Sequence, residues 1–406
     1  MYYPLTQFRI PRFLALGILC LGLLLLLAAC GTGSGILSAG GNWQPGGING
    51  YRFRALTTDP NNPQKIFAGS EQGAIFVTAD SGEHWARTKA DIPHLAAINA
   101  LNFDKAGKQL YVASDSGLWS SANSGQTWNA VASQTLPANK GYKYTALAFD
   151  LKAANHIYVG TAGHGIFMSS DGGNSWTSVA KTFPPETVVN GLTYDSDQHQ
   201  LWAATSTGMY RTADQGANWT ALNAGLPAHV AINAVVPATL TGGEQGLIYA
   251  GSEQGFFISS DNGAHWAHGK DSLSVVPVTS IVLDFRSGDA RTIYIGTGAG
   301  ALQSDDQGQT WRAVAPGLPK ITTVNALALG GDHYAQLLAA VNDIYLYPGN
   351  SGGAGSNIFP IILFIGFFAL LYYFAQGRRK RRMNALSTPT PKEGSTTSES
   401  EAPSEQ

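Results

Sequence analysis

The feature that most constrains this chain is an eight-residue phrase that returns six times. It reads "TADSGEHW" (78–85), "SANSGQTW" (121–128), "SSDGGNSW" (169–176), "TADQGANW" (212–219), "SSDNGAHW" (259–266) and "SDDQGQTW" (304–311). The closing tryptophans lie 43, 48, 43, 47 and 45 residues apart. Self-similarity at a period in the forties, with four short strand-like runs per unit, is the sequence form of a propeller blade. In the third unit the runs are "YTALAFD", "HIYVGT", "GIFMSS" and "WTSVA". They are β-branched and aromatic, and Gly, Asn and Asp bound them, as they bound strands. Composition agrees, since 48 of 406 residues are Gly and only 13% are charged, the economy of a turn-rich all-β chain.

Six phrases do not mean six blades. After Trp311 come three further runs, "VNALALG" (324–330), "QLLAAVN" (336–342) and "DIYLYP" (343–348), and no fourth. Trp43, in "GGNWQPGG", stands 42 residues before Trp85, in phase with the other tryptophans. The expectation is therefore an all-β, seven-bladed β-propeller over 43–348, with an N-terminal strand closing the last blade. Such closure removes the exposed sheet edges that template aggregation.

The phrase resembles the Asp-box, or BNR repeat, of sialidases, sortilin-type receptors, xyloglucanase-like glycosidases and the photosystem II assembly factor propellers. Turn chemistry accounts for each fixed position. The Ser or Thr hydroxyl and the side chains of Asp80, Asn123, Asp171, Asp214, Asp261 and Asp306 accept backbone N–H bonds. The Gly permits a positive φ, and Trp85, Trp128, Trp176, Trp219, Trp266 and Trp311 cover a neighbouring strand or blade. Asn123 keeps an acceptor but loses the charge, a swap that a turn tolerates and a catalytic acid does not. In the families it resembles, the box lies between the third and fourth strands, away from the functional face. It is read here as structural.

The chain ends carry targeting signals. Arg9 and Arg12 precede the apolar run "FLALGILCLGLLLLLAAC", which reads as a secretory signal over 1–30. "LAAC-G" resembles the bacterial lipobox, implying lipid on Cys30, with an uncleaved signal anchor as the alternative. A linker over 31–42 follows. Both cysteines, Cys20 and Cys30, fall in the signal, so the propeller holds no disulfide and no Cys-ligated metal. After a Gly/Ser linker (349–357), "IFPIILFIGFFALLYYFA" (358–375) runs 18 residues without a charge, the length of a C-terminal transmembrane helix. "GRRKRR" then assigns the tail, 376–406, to the cytoplasm, and the Ser, Thr, Pro and Glu that follow predict disorder. Between Cys30 and Ala375 lie 17 basic and 23 acidic residues, a net −6 with no nucleic-acid footprint.

Three motifs imitate active sites. "FRIP" (8–11) matches the arginine motif of sialidases but lies inside the signal. "GNSGG" (349–353) fits G-x-S-x-G without the strand–turn–helix elbow that gives the motif meaning. His265 and His268, three apart on a strand, face opposite sides. Neither a metal nor a cofactor is expected.

In the related families the functional face carries the loops between second and third strands and those leading into each new blade. Its polar candidates here are Glu71, Asp115, His164, Glu253 and Asp343 from the first set, and Lys140 and Tyr142 from the long connection 133–145. Glu71 and Glu253 are the pair a glycosidase would hold ~5–10 Å apart; otherwise they are solvated turn residues. The sequence thus points to a non-catalytic cell-surface propeller at the cytoplasmic membrane, with the propeller on the extracytoplasmic side. Its expected work is that of a protein-binding scaffold, receptor or membrane-complex assembly factor, with another membrane or surface protein as partner. A carbohydrate-active propeller, hydrolytic or glycan-binding, is the alternative. The resemblance to the photosystem II assembly factor family implies a type of role and not photosynthesis, because a shared fold does not fix a function.

Overall fold

The computed structural model describes residues 42–348, apart from 93–95, 105, 132–135, 137–140, 154, 181, 242–245, 270–272, 274–275, 285–291, 320–321 and 332–335. Cys30, Lys140, the 358–375 segment and the tail lie outside the described residues. Among the described residues, no helix is long and apolar enough to cross a membrane.

Seven four-stranded antiparallel sheets make up the structure. Blade 1 comprises Phe53–Asp59, Asn62–Ser70, Ile75–Thr78 and Ala86–Arg87, in order from the innermost strand outward. The innermost strands of blades 2 to 6 are Ile98–Phe103, Tyr144–Phe149, Val189–Asp195, Ile232–Pro237 and Val278–Leu283. Blade 7 is Ala326–Gly330, Gln336–Ala340 and Ile344–Tyr347, and its outer strand is Gln44–Pro45 from the start of the propeller. Gln44 lies opposite Leu346 and Pro45 opposite Tyr345, so the ring closes as the phase of Trp43 predicts.

Burial explains which runs become which strands. The second strands of blades 2, 3, 5 and 6, "LYVAS", "IYVGT", "IYAGS" and "IYIGT", are buried at every residue. Neighbouring blades cover both of their faces, which calls for an apolar run rather than an alternating one. One such seam joins the chain's two ends: Phe53, Ile66 and Phe76 of blade 1 pack with Leu338, Ile344 and Leu346 of blade 7. Trp43 is 3% exposed and sits 5.5 Å from the Tyr347 ring. Its N–H donates to the Pro316 carbonyl at 3.0 Å. Gly317, at φ +115°, passes so close that a Cβ there would lie 2.8 Å from the Trp43 carbonyl oxygen, so only Gly serves.

All six boxes adopt one geometry between third and outer strands. The hydroxyl donates to the Asp or Asn Oδ1 at 2.6–2.9 Å. The same hydroxyl accepts the N–H of the box Gly at 2.8–3.0 Å. That Oδ1 also accepts the N–H four residues on, at 2.8–3.0 Å. The residue before the Gly takes a positive φ too, from 59° to 66° at Ser81, Ser124, Gln215, Asn262 and Gln307. The sequence pattern did not announce this strained position. Trp128, Trp219 and Trp266 donate their indole N–H to carbonyls of the preceding blade's end, Ala90, Val179 and Leu222. The boxes tie turns within blades and blades to one another.

Those bonds also hold the box carboxyls down at about 2. At Asp171 the Ser175 hydroxyl and N–H dominate, at Asp214 the Asn218 N–H, and at Asp261 the His265 N–H. At Asp80 and Asp306 partial burial pulls upward, and the bonds from Thr78 and His84, and from Thr310 and Ser304, outweigh it.

Candidate functional site

In blades 1 to 6 the residue after the first apolar position of the innermost strand, and in blade 7 the residue just before that strand, build the central channel. These positions read Arg54 in "FRAL", Asn99 in "INAL", Thr145 in "YTAL", Asn190 in "VNGL", Asn233 in "INAV", Thr279 in "VTSI" and Asn325 in "VNAL". In blades 1 to 6 a β-bulge falls at this residue, so it has no partner in the ladder register. A bulge re-aims a side chain, and all seven side chains line one open cavity of about 750 Å³ with Glu71, Glu253 and Pro277.

Six of the seven stitch blade to blade. Asn99 donates to the Tyr144 carbonyl at 2.9 Å, Thr145 to Val189 at 2.5 Å, Asn190 to Ile232 at 2.9 Å and Asn233 to Val278 at 3.0 Å. Thr279 donates to Val324, and Asn325 crosses the closing seam to the Phe53 carbonyl at 2.8 Å. Arg54 is the exception. Its Nε reaches the Glu71 carboxylate at 2.9 Å and its Nη1 the Asn99 Oδ1 at 3.5 Å.

The expected candidates separate into four groups. Glu71 and Glu253 both line the cavity. Asp115 stands just behind it, accepting from Asn99 Nδ2 at 2.8 Å and pairing with Lys143 at 3.1 Å. Tyr142 and His164 come together beside this network, their rings stacked with centroids 3.8 Å apart. Asp343 departs from the expectation of a binding residue. Its carboxyl is buried and accepts the N–H groups of Ile48 at 3.1 Å and Ile344 at 2.7 Å, pinning the closing segment. Burial pushes this carboxyl up. The channel ring itself was missed, although it recurs at the blade period and a search for polar residues inside the innermost strands would have found it.

The described residues offer one grouping of metal-ligand type, Asp80, Glu83 and His84. It lies on a box turn at the surface, and His84 Nδ1 and Asp80 are already bonded at 2.7 Å.

A family model for the DUF6242 beta propeller domain matches residues 61–359. The chain belongs to that family. This DUF6242 propeller is also similar to curated xyloglucanases. It is 28% identical over 197 residues to one from Hypocrea jecorina, covering 48% of this chain and 21% of that enzyme. To one from Paenibacillus sp. it is 26% identical over 253 residues, covering 49% of this chain and 24% of that enzyme. The match thus spans less than a quarter of either relative. Among solved structures, the GH74 xyloglucanase from Xanthomonas campestris superposes with a TM-score of 0.61 at 16% identity, over 78% of this chain and 54% of the enzyme. YCF48 bound to D1 peptide superposes with a TM-score of 0.59 at 14% identity, over 78% of this chain and 97% of YCF48. These likenesses at low identity show the shared propeller fold.

Proposed function

We propose that the chain is a non-catalytic binding propeller that presents its channel mouth to a segment of another membrane or surface protein. The observation that carries this reading is how the lumen spends its polar groups. Six ring side chains are occupied in holding blades together, and Glu71 is committed to a guanidinium 2.9 Å away. The carboxyl that burial does push up, Asp343, serves the closing segment rather than the cavity. A glycosidase instead needs two carboxyls free to act as acid and as base or nucleophile. The likeness to YCF48 in complex with a peptide supports the same side.

The cellular frame proposed for it is export by the 1–30 signal, lipid on Cys30 and a transmembrane helix over 358–375. The propeller then stands on the extracytoplasmic side of the cytoplasmic membrane, with the tail inside. The second reading, a carbohydrate-active channel, is favoured by the xyloglucanase relatives at 26–28% identity and by both glutamates sharing the cavity. Cross-linking in intact cells tests the first reading. A specific protein partner, lost when channel-mouth residues are substituted, supports it, and recovery of no partner removes its basis.

A further inference from the structure

The charges in the lumen are unequal. Asn190, Asn233 and Asn325 give their NH2 groups to backbone carbonyls, and a carbonyl only accepts. Each amide keeps its Oδ1, to which no described residue donates, and one further N–H. The guanidinium among the lining side chains, that of Arg54, is neutralised by Glu71. The carboxylate of Glu253, exposed on the cavity wall, has no partner among the described residues and leaves one uncompensated negative charge. The charges of the lining therefore leave one carboxylate in excess, in a cavity that also holds amide oxygens without a described donor.

We propose that the lumen is a receptor for a protonated primary amine, the lysine side chain of an extended segment of the protein partner. The proposal rests on the binding-propeller reading above and names the chemistry of its ligand. An alkylammonium carries three donors and no acceptor on a slim stem, the complement of an uncompensated carboxylate and of the amide oxygens that line the same cavity. A cavity of about 750 Å³ admits that side chain with part of its hydration. The net −6 of the chain between Cys30 and Ala375 (17 basic, 23 acidic) steers a cation toward it, an effect that salt weakens. An acidic segment would meet the uncompensated charge of Glu253, and the one guanidinium among the lining residues is already paired with Glu71.

The test titrates full-length protein in detergent, at low salt, with acetyl-Gly-Lys-Gly-amide, its norleucine and Glu counterparts, and n-butylammonium. The lysine peptide is expected to bind at least ~10-fold more tightly than the norleucine peptide, about 1.4 kcal/mol. Glu253→Gln erases that preference, and Glu253→Asp retains part of it. Tighter binding of the lysine peptide than of n-butylammonium assigns the amine to a peptide; equal binding overturns that assignment. The proposal falls if the norleucine or Glu peptide binds as well as the lysine peptide, or if Glu253→Gln leaves the preference intact. A cross-linked partner whose capture ignores both Glu253→Gln and excess lysine peptide would leave the binding-propeller reading standing and remove the amine.

Discussion

Trp43→Ala is the sharpest perturbation of the closure on which the fold depends. The indole is 3% exposed, packs on Tyr347 and sits at the joint where the first described strand completes the last blade. Truncating a buried Trp costs about 3–5 kcal/mol, a transfer loss plus a cavity. A domain of this size has an unfolding entropy near 0.6 kcal/mol per degree, so Tm falls by about 5–8 °C. The loss has a second consequence. Loosening Gln44–Pro45 exposes Ile344–Tyr347 as a sheet edge, and exposed edges invite aggregation. Trp43→Phe is the control, because the indole Nε1 is buried with no hydrogen-bond partner. Replacing it keeps most apolar contact and removes an unsatisfied donor, so it costs well under half as much. Thermal unfolding followed by circular dichroism, with light scattering alongside, reads both effects. If Trp43→Ala melts within about 2 °C of the parent, scaled as above, the strand is not closing the ring.

Acid stability should follow the boxes. Carboxyls held at about 2 against an ordinary 3.8 contribute stability that is complete above the ordinary value and is lost as pH falls toward 2. Urea midpoints should drop between pH 4 and pH 2, and Asp171→Asn with Asp214→Asn should flatten that drop. Asn123, already uncharged in blade 2, shows that Asn suits the turn. Asp343 runs the other way, since a carboxyl pushed up by burial loses stabilisation as pH rises through its folded value, so Asp343→Asn removes a fall at mildly acidic pH. Asn325→Ala leaves the Phe53 carbonyl without its cross-seam donor and should cost about 1–3 kcal/mol. Arg54→Ala breaks a solvent-accessible ion pair, 46% and 29% accessible, and a long bond to Asn99, and should cost under ~1 kcal/mol; equal melting shifts for the two would contradict the stitching role of the ring.

The blade count and its closure were legible because they rest on local signals repeated in phase. Each box announces a turn, and Trp43 falls on the same period 42 residues before Trp85. The channel was less legible. Asn190 and Asn233 stand one residue inside apolar strands, where a polar residue reads as an interruption. Only the bulge that turns them inward, and the carbonyl of the next blade, give them their purpose. Asp343 misled for the opposite reason. It looks like a turn residue, and its partner Ile48 is 295 residues away along the chain, a contact that no local pattern encodes. Glu71 and Glu253 were found by their loops, but that Arg54 ties one and not the other was invisible without coordinates.

The proposal that the channel binds without catalysing is tested most directly by hydrolysis. Full-length protein in detergent is assayed against xyloglucan and a panel of aryl glycosides, beside Glu71→Ala and Glu253→Ala. Release indistinguishable from buffer is expected for all three proteins. Turnover by the parent that either substitution abolishes would contradict it and assign the two glutamates to catalysis.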